Sequence, residues 1–458
     1  MKRLALLASA LLAGCATYRP LALPTDAALV RDVAQLSVDN ARMPVPAPAG
    51  HRFDPGDGLD ITEVAMLAVA NNPELRLARA DAGVSRAQAF AAGLLPDPQL
   101  ALSREAVLGS PAGATVAFSV GLTVDVAALL ARSSTRAAAD AESRKTDLDL
   151  LWQEWQAVAK ARLLFVKLDA IGREQATLAE QRTRLRLRLD AATQAVERGL
   201  ATNDVATPQL AAFEDANRQW DDQERQRNQA THDLHALLGV APDVALALVG
   251  PAEVGTLEAA DVRAAIAAAP RRRPDLLALQ AGFEAQDERY RGALRAQFPA
   301  ITLGPTRARD TSDVNTVGLS LGLTLPLFNR NRGNIAIESA TRDKLRLDYQ
   351  QRLDATAIDA HRLLEEQAIL RRQLAAIDAS LPGLALAAQR AGQAYAAGDV
   401  DALTLTSVEG ALLARRLERI ASQQALQEQA IALQALLGTP LGPSAPGAGK
   451  SNPDEKSS

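Results

Sequence analysis

Two stretches of the chain alternate between apolar and small or polar positions, and they do so in step with each other. Val317, Leu319, Leu321, Leu323, Leu325 and Leu327 fall on one face of a strand, opposed by Thr316, Gly318, Ser320, Gly322 and Thr324. Val116, Phe118, Val120, Leu122, Val124 and Val126 repeat the apolar series, opposed by Thr115, Ala117, Ser119, Gly121 and Thr123. Period two over about ten residues predicts a strand with one wholly apolar face. Such a strand suits a membrane barrel, with its apolar face toward lipid and its small or polar face toward the lumen. Weaker strands are predicted at 99–103 and 300–304, with "REAVLGSPAGA" and "RARDTSDVN" as outward loops. Four strands cannot close a membrane barrel, which begins at about eight, and open strand edges cannot face lipid. The chain must therefore assemble with copies of itself; two copies or three would both serve.

Most of the remainder reads as helix. A short helix is predicted around 62–71, with Asp60 or Thr62 as its cap, and a second over 74–94. Residues 127–198 contain no proline and only Gly172. As one helix they would reach roughly 108 Å, more than a globular core requires. Within them "TRLRLRLD" at 183–190 alternates like a strand. On a helix, however, Leu178, Leu185, Leu189, Ala192 and Val196 form one stripe and Leu187 faces elsewhere. Arg182, Arg184, Arg186 and Arg188 then read as solvated or paired faces.

These elements occur twice. A spacing of 201 carries Pro73, Leu75 and Ala80 onto Pro274, Leu276 and Ala281, and Gly121-Leu122-Thr123 onto Gly322-Leu323-Thr324. Farther on the spacing is 199, with Gly199 on Gly398 and Leu237-Leu238-Gly239 on Leu436-Leu437-Gly438. Matched glycines and prolines in one order mark a structural unit used twice, over 59–250 and 251–438. Each unit runs helix, helix, strand, strand, long helix, glycine turn, helix. Pro382-Gly383 has no proline counterpart in the first unit and predicts a bend or a restart of the second long helix.

Composition changes the picture mainly at the ends. Lys2 and Arg3, an apolar run to Leu12, and then Leu12-Ala13-Gly14-Cys15 describe an export signal too short to span a membrane. Its last four residues resemble a bacterial lipobox, which makes Cys15, the only cysteine, the acylated first residue of the mature chain. Removing residues 1–14 takes away two cations and moves the net charge from −4 to −6. Ala16 follows the cysteine where an aspartate would resemble inner-membrane retention. Residues 15–58 read as a lipid-anchored linker and 439–458 as a disordered tail. With 50 basic and 54 acidic side chains there is no field of one sign, so nucleic acid is not an expected partner.

Together, "EVAMLAVANNPELRLARA", "AAGLLPDPQLALS", "LGLTLPLFNRNRG", "AYAAGDVDALTL" and the paired Leu-Leu-Gly endings resemble the TolC-type outer-membrane efflux proteins. The likeness is to the lipidated branch that works with resistance-nodulation-division pumps, and it covers about 59–439. The resemblance implies a mainly α fold with a membrane β-barrel portion. It implies a homotrimer with a twelve-strand barrel in outer-membrane lipid and a periplasmic twelve-helix tube, in a Gram-negative bacterium. It also implies a periplasmic adaptor (membrane fusion) protein and an inner-membrane efflux pump as partners. By that likeness the turns at Gly199, Asn203 and Asp204, and at Gly398, Asp399 and Asp401, form the periplasmic tip that meets the adaptor or gates the tube. Asn203, Asp204, Thr207 before Pro208, Asp399 and Asp401 are candidate helix caps there. Related channels carry acidic residues after the second turn; this chain has Thr404 and Ser407.

Catalytic constellations are missing: there is no phosphate loop and no zinc-protease motif, and an enzyme, a cofactor or a metal site is not expected. His232 and His235, one turn apart, read as surface residues, and Trp152, Trp155 and Trp220 as packing or girdle residues. The competing reading is a structural periplasmic lipoprotein or an adaptor with long helical hairpins, which should carry β-rich modules around one hairpin instead of a repeated strand pair.

Overall fold

The computed structural model describes residues 18–38, 53–109 and 113–438. Cys15, the export signal, part of the linker and the tail lie outside the described residues.

The chain runs as α1 (Ile61–Asn71), α2 (Pro73–Ala92), β1 (Gln99–Glu105), β2 (Ala117–Asp125), α3 (Val126–Glu197) and α4 (Asn203–Leu238). It then repeats the series as α5 (Ala259–Arg272), α6 (Pro274–Arg295), β3 (Ala300–Arg309), β4 (Asn315–Thr324), α7 (Arg332–Ala397) and α8 (Ala402–Leu437). The two long helices span 72 and 66 residues, roughly 108 and 99 Å at 1.5 Å per residue. Start signals explain the first helices. Asp60 accepts from the amides of Thr62 and Glu63 while Glu63 reaches back to the Asp60 amide, closing a capping box. Asn72 caps α2 through the amides of Glu74 and Leu75, with Pro73 at its first position.

"TRLRLRLD" is helical within α3, with Leu178, Leu185 and Ala192 buried and Leu187 exposed. Helical neighbours outweigh the local alternation because the stripe at spacings of seven has packing partners and a strand there would have none. Arg184 pairs with Glu180, Arg186 with Asp190 and Arg188 with Glu409. Arg182 bonds Asn217 at 2.9 Å and stacks on Trp220.

Several boundaries differ from expectation. β1 and β3 are longer than the strands predicted there, β2 begins one residue after Val116, and Val126 opens α3. β4 ends at Thr324, so Leu325 stands one residue beyond it. α7 passes through Pro382 without restarting. The Pro382 nitrogen leaves only one carbonyl, that of Asp378, without its helical donor, and the packed α8 alongside holds the rod together. Arg415 donates to Ser380 at 2.9 Å and Arg419 to Asp378 at 2.6 Å, tying the turn before the proline to α8.

Part of the segment read as linker is packed. Val30 exchanges backbone bonds with Gly239 and Ala241, at 3.0 and 2.8 Å, and Leu36 is 4% exposed. It joins a core of Leu59, Val64, Leu67, Phe165, Leu234 and Leu238 between α1, α3 and α4. Apolar residues at 29–38 give this stretch enough surface to dock, which a proline-rich composition alone conceals. Smaller cores seat α8 against α3, through Val166 and Ile431, and α5 against α7 and α8, through Val262, Ala360, Leu433 and Leu437. Between the repeats Arg162, its pKa lowered to about 10 by burial, donates to Gln434 at 3.0 Å.

The four strands form one antiparallel sheet in the order β1-β2-β3-β4. The hairpin of each repeat is local, whereas the central β2–β3 seam joins the two repeats.

The sheet faces and the helix tips

Cross-strand partners share a face of a sheet, so the register sorts every strand residue. Leu100 lies opposite Leu122 and Leu102 opposite Val120; Val120 lies opposite Arg307 and Val124 opposite Leu303. Ile301, Leu303, Pro305 and Arg307 lie opposite Leu323, Leu321, Leu319 and Val317. One face of all four strands is therefore apolar, apart from arginines and Asn315 at its loop end. The opposite face carries Ala101, Ser103, Ser119, Gly121, Thr123, Thr302, Gly304, Thr306, Thr316, Gly318, Ser320 and Gly322. Charged side chains on that face are confined to its ends, at Glu105 and Asp125. Ser103 and Ser119 share a hydrogen bond of 2.7 Å across it.

The apolar face is uncovered: Val317 is 82% exposed, Leu321 59% and Phe118 47%. An uncovered apolar face this broad is not a water-facing surface of an isolated globule. The outer edges of β1 and β4 have no strand partner among the described residues. No helix among the described residues is long and apolar enough to cross a membrane.

At the far end of the long helices both repeats make the same turn. Gly199 has φ 69° and Gly398 φ 81°. Leu200 N–H bonds the Ala195 carbonyl at 2.8 Å and Gly199 N–H that of Val196 at 2.9 Å. Asp399 N–H bonds Ala394 at 2.8 Å and Gly398 N–H bonds Tyr395 at 3.1 Å, the same pattern. This double bond closes a helix with a left-handed residue that glycine adopts without steric cost.

The caps that follow differ between repeats. Asp401 caps α8 by accepting from the Thr404 amide at 2.7 Å; Asp399 contributes only backbone. In the first repeat the cap position is Thr202, with no side-chain bond to the helix amides, and α4 begins at Asn203. Thr207 does not cap: it lies inside α4 and donates to the Asn203 carbonyl at 2.7 Å, while Pro208 sits within the helix. The Thr202 hydroxyl is engaged with Asp204 instead.

Thr404 holds the Asp401 pKa below its ordinary value of 3.8. A depressed acid pKa stabilises the fold above the unfolded value and stops doing so as pH falls through the folded one. The cap therefore persists at neutral pH and is lost only in acid, as pH falls through the lowered Asp401 value. Asp401→Ala is expected to lower the protection of the Thr404 amide at pH 7, relative to its intrinsic exchange rate, to what the parent chain shows only in acid. Unchanged protection would show that the turn does not depend on this cap.

Residue pairs that the sequence did not specify tie the two hairpins together along the helices that lead to the tips. Buried Gln209 of α4 donates to Thr406 at 3.1 Å and to the Ala402 carbonyl at 3.4 Å, both at the start of α8. Arg188 of α3 makes a forked contact with Glu409 of α8, one arm at 2.6 Å, and this bond raises the Arg188 pKa. Arg173 reaches Gln423 at 2.9 Å. No local signal could have found these pairs, because their partners lie roughly two hundred residues away in sequence.

His235 is a correction. It is 4% exposed, in contact with His232 at 6.3 Å between ring centroids, and burial lowers its pKa. Its position facing the α3 core, not its polarity, decides this. Trp152 stacks on Arg273 and Trp155 lies against the α3–α8 core, so both are packing residues of the helices. Among the described residues no cluster of three metal-ligating side chains occurs.

The uncovered apolar sheet face is thus continued by helical rods of about 100 Å. Residues 265–439 match the family model of outer membrane efflux proteins. The probable outer membrane lipoprotein SilC of Salmonella typhimurium is 25% identical over 153 residues, covering 31% of this chain and 33% of that protein. The cation efflux system protein CusC of Escherichia coli K12 is 26% identical over 177 residues, covering 36% and 39%. The chain thus aligns with little more than a third of the length of these relatives. In fold the likeness is nearly complete: the CmeC outer membrane channel of Campylobacter jejuni superposes with a TM-score of 0.71 at 15% identity, covering 94% of this chain and 96% of that one.

Proposed function

We propose that this chain is the outer-membrane exit duct of a tripartite efflux system, acting as a homotrimer with a periplasmic adaptor and an inner-membrane pump. The observation that carries the reading is the division of the sheet into one apolar and one small or polar face, continuous with the long helices. Lipid against the apolar face removes its contact with water, and three protomers bring twelve strands. The free edge of β4 then pairs with the free edge of β1 in the next copy, so that no strand edge is left facing hydrocarbon.

The inward face carries hydroxyls and glycines, with charge only at Glu105 and Asp125 on its ends. Such a wall passes solutes without holding them, so the driving energy and the choice of cargo belong to the pump. The turns at Gly199 to Asp204 and Gly398 to Asp401 are the adaptor-facing tips. Acylated Cys15 anchors the chain in the periplasmic leaflet, each buried CH₂ contributing about 0.8 kcal/mol.

Purified full-length protein added to a planar lipid bilayer is expected to give discrete conductance steps from a trimeric species. A monomer that leaves the bilayer silent would overturn the channel reading.

A further inference from the structure

We propose that the loop end of the sheet binds the phosphate-bearing headgroup of an outer-leaflet lipid through Arg104, Arg307 and Arg309. The inference rests on the apolar face being the lipid-facing one. Phe118 lies opposite Arg104 in β1 and opposite Arg309 in β3, so the two arginines flank it on that face. They stand about 10 Å apart, two strand spacings. Two residues nearer the helices, Arg307 lies opposite Val120 and Val317 on the same face. Beyond that level the face is apolar to its other end, so the change from hydrocarbon-like to cationic takes place within two rungs of the ladder.

All three arginines are exposed. Arg309 is paired with Asp313 at 2.5 Å, whereas Arg104 and Arg307 have no ion pair among the described residues. The neighbouring acids are directed elsewhere. Glu105 falls on the opposite face of β1, and Asp310 accepts from the amides of Ser312 and Val314. The long helices leave the other end of the sheet, so this end is the outward one.

A guanidinium at the boundary of a hydrocarbon layer lays its stem along apolar surface and carries its charge to the headgroups. Its planar fork fits a phosphate with two parallel hydrogen bonds, which a zwitterionic headgroup engages less well. Two unneutralised forks and a third flanking Phe118 therefore suit a headgroup that bears more than one phosphate, and the arrangement recurs once per protomer.

The test uses the full-length protein in neutral detergent with bis-phosphorylated lipid A, the same lipid A stripped of its phosphates, or inorganic phosphate alone, bound lipid being read by native mass spectrometry. The parent chain is expected to prefer the phosphorylated lipid, and added salt to weaken that preference. R104Q/R307Q/R309Q is expected to bind it about tenfold more weakly and the stripped lipid unchanged. R307Q, at an unpaired position, should give about a threefold loss and serves where the triple variant does not assemble. Equal binding of both lipids by the parent chain, parent-like binding by the variants, or equal occupancy by inorganic phosphate would overturn the proposal. Bilayer conductance separates the two readings: a parent chain that conducts but shows no preference for the phosphorylated lipid sinks this proposal alone, whereas a silent parent chain sinks the channel reading.

Discussion

Gly304→Val is expected to abolish assembly, seen as loss of the proposed trimer on semi-native gels and of conductance in bilayers. A Cβ at Gly304 would stand 1.7 Å from the Leu122 carbonyl oxygen, 2.7 Å from its carbon and 2.8 Å from the Thr123 Cα. All three are backbone atoms, so no rotamer change relieves the overlap. The β2–β3 seam itself would have to open, and among the described residues that seam is the only strand pairing between the two repeats. The cost belongs to the exceptional class, about 4 kcal/mol or more. Gly318→Ala is the control. Its Cβ would meet only the Thr306 hydroxyl at 3.6 Å, an ordinary contact, and trimer and conductance should persist. Parent-like trimer from Gly304→Val would show that the two strands approach less closely than described.

The second large effect is expected at Arg273, where the repeats part company. Asn72 caps α2, but at the corresponding place the N-cap position of α6 is Arg273, which makes no side-chain cap. Its guanidinium grips both oxygens of Asp275 at 2.9 and 2.6 Å, donates to Thr356 of α7 at 2.6 Å and lies 5.1 Å from the Trp152 ring of α3. The pair is almost fully buried. Arg273→Ala would leave Asp275 with only Arg352, at 3.6 Å and half in solvent. Stranding a buried charge in this way costs about 3–5 kcal/mol. The helical circular-dichroism melt should therefore shift well downward, and further than in an Arg273→Lys variant, which keeps the charge and loses the fork. Equal melts for Arg273→Ala and the parent chain would contradict this account.

These two positions mark the limit of what sequence alone could reach. Alternation of period two, from Val317 to Leu323 and from Phe118 to Val124, was enough to sort the strand faces. The register extends that division to β1 and β3, which are too short or too interrupted by Pro305 and Arg307 to declare it. The glycine turns were legible because a left-handed helix end favours glycine. The Asp60 cap was legible because capping is settled within four residues. The same local reasoning misplaced the first-repeat tip cap at Asn203, Asp204 or Thr207 before Pro208, since the cap position is Thr202 and that proline is accommodated inside α4.

The linear pattern by itself determined the period of each segment, its punctuation and the duplication, because these depend on contacts within a few residues or on comparing the chain with itself. Only the tertiary structure decided that Arg188 meets Glu409, that Gln209 crosses to α8, that His235 is buried and that residues 29–38 are packed. It also decided that Gly304 touches the backbone of β2. Each of these depends on which distant surface an element is brought against, and the residue types involved are equally at home in solvent.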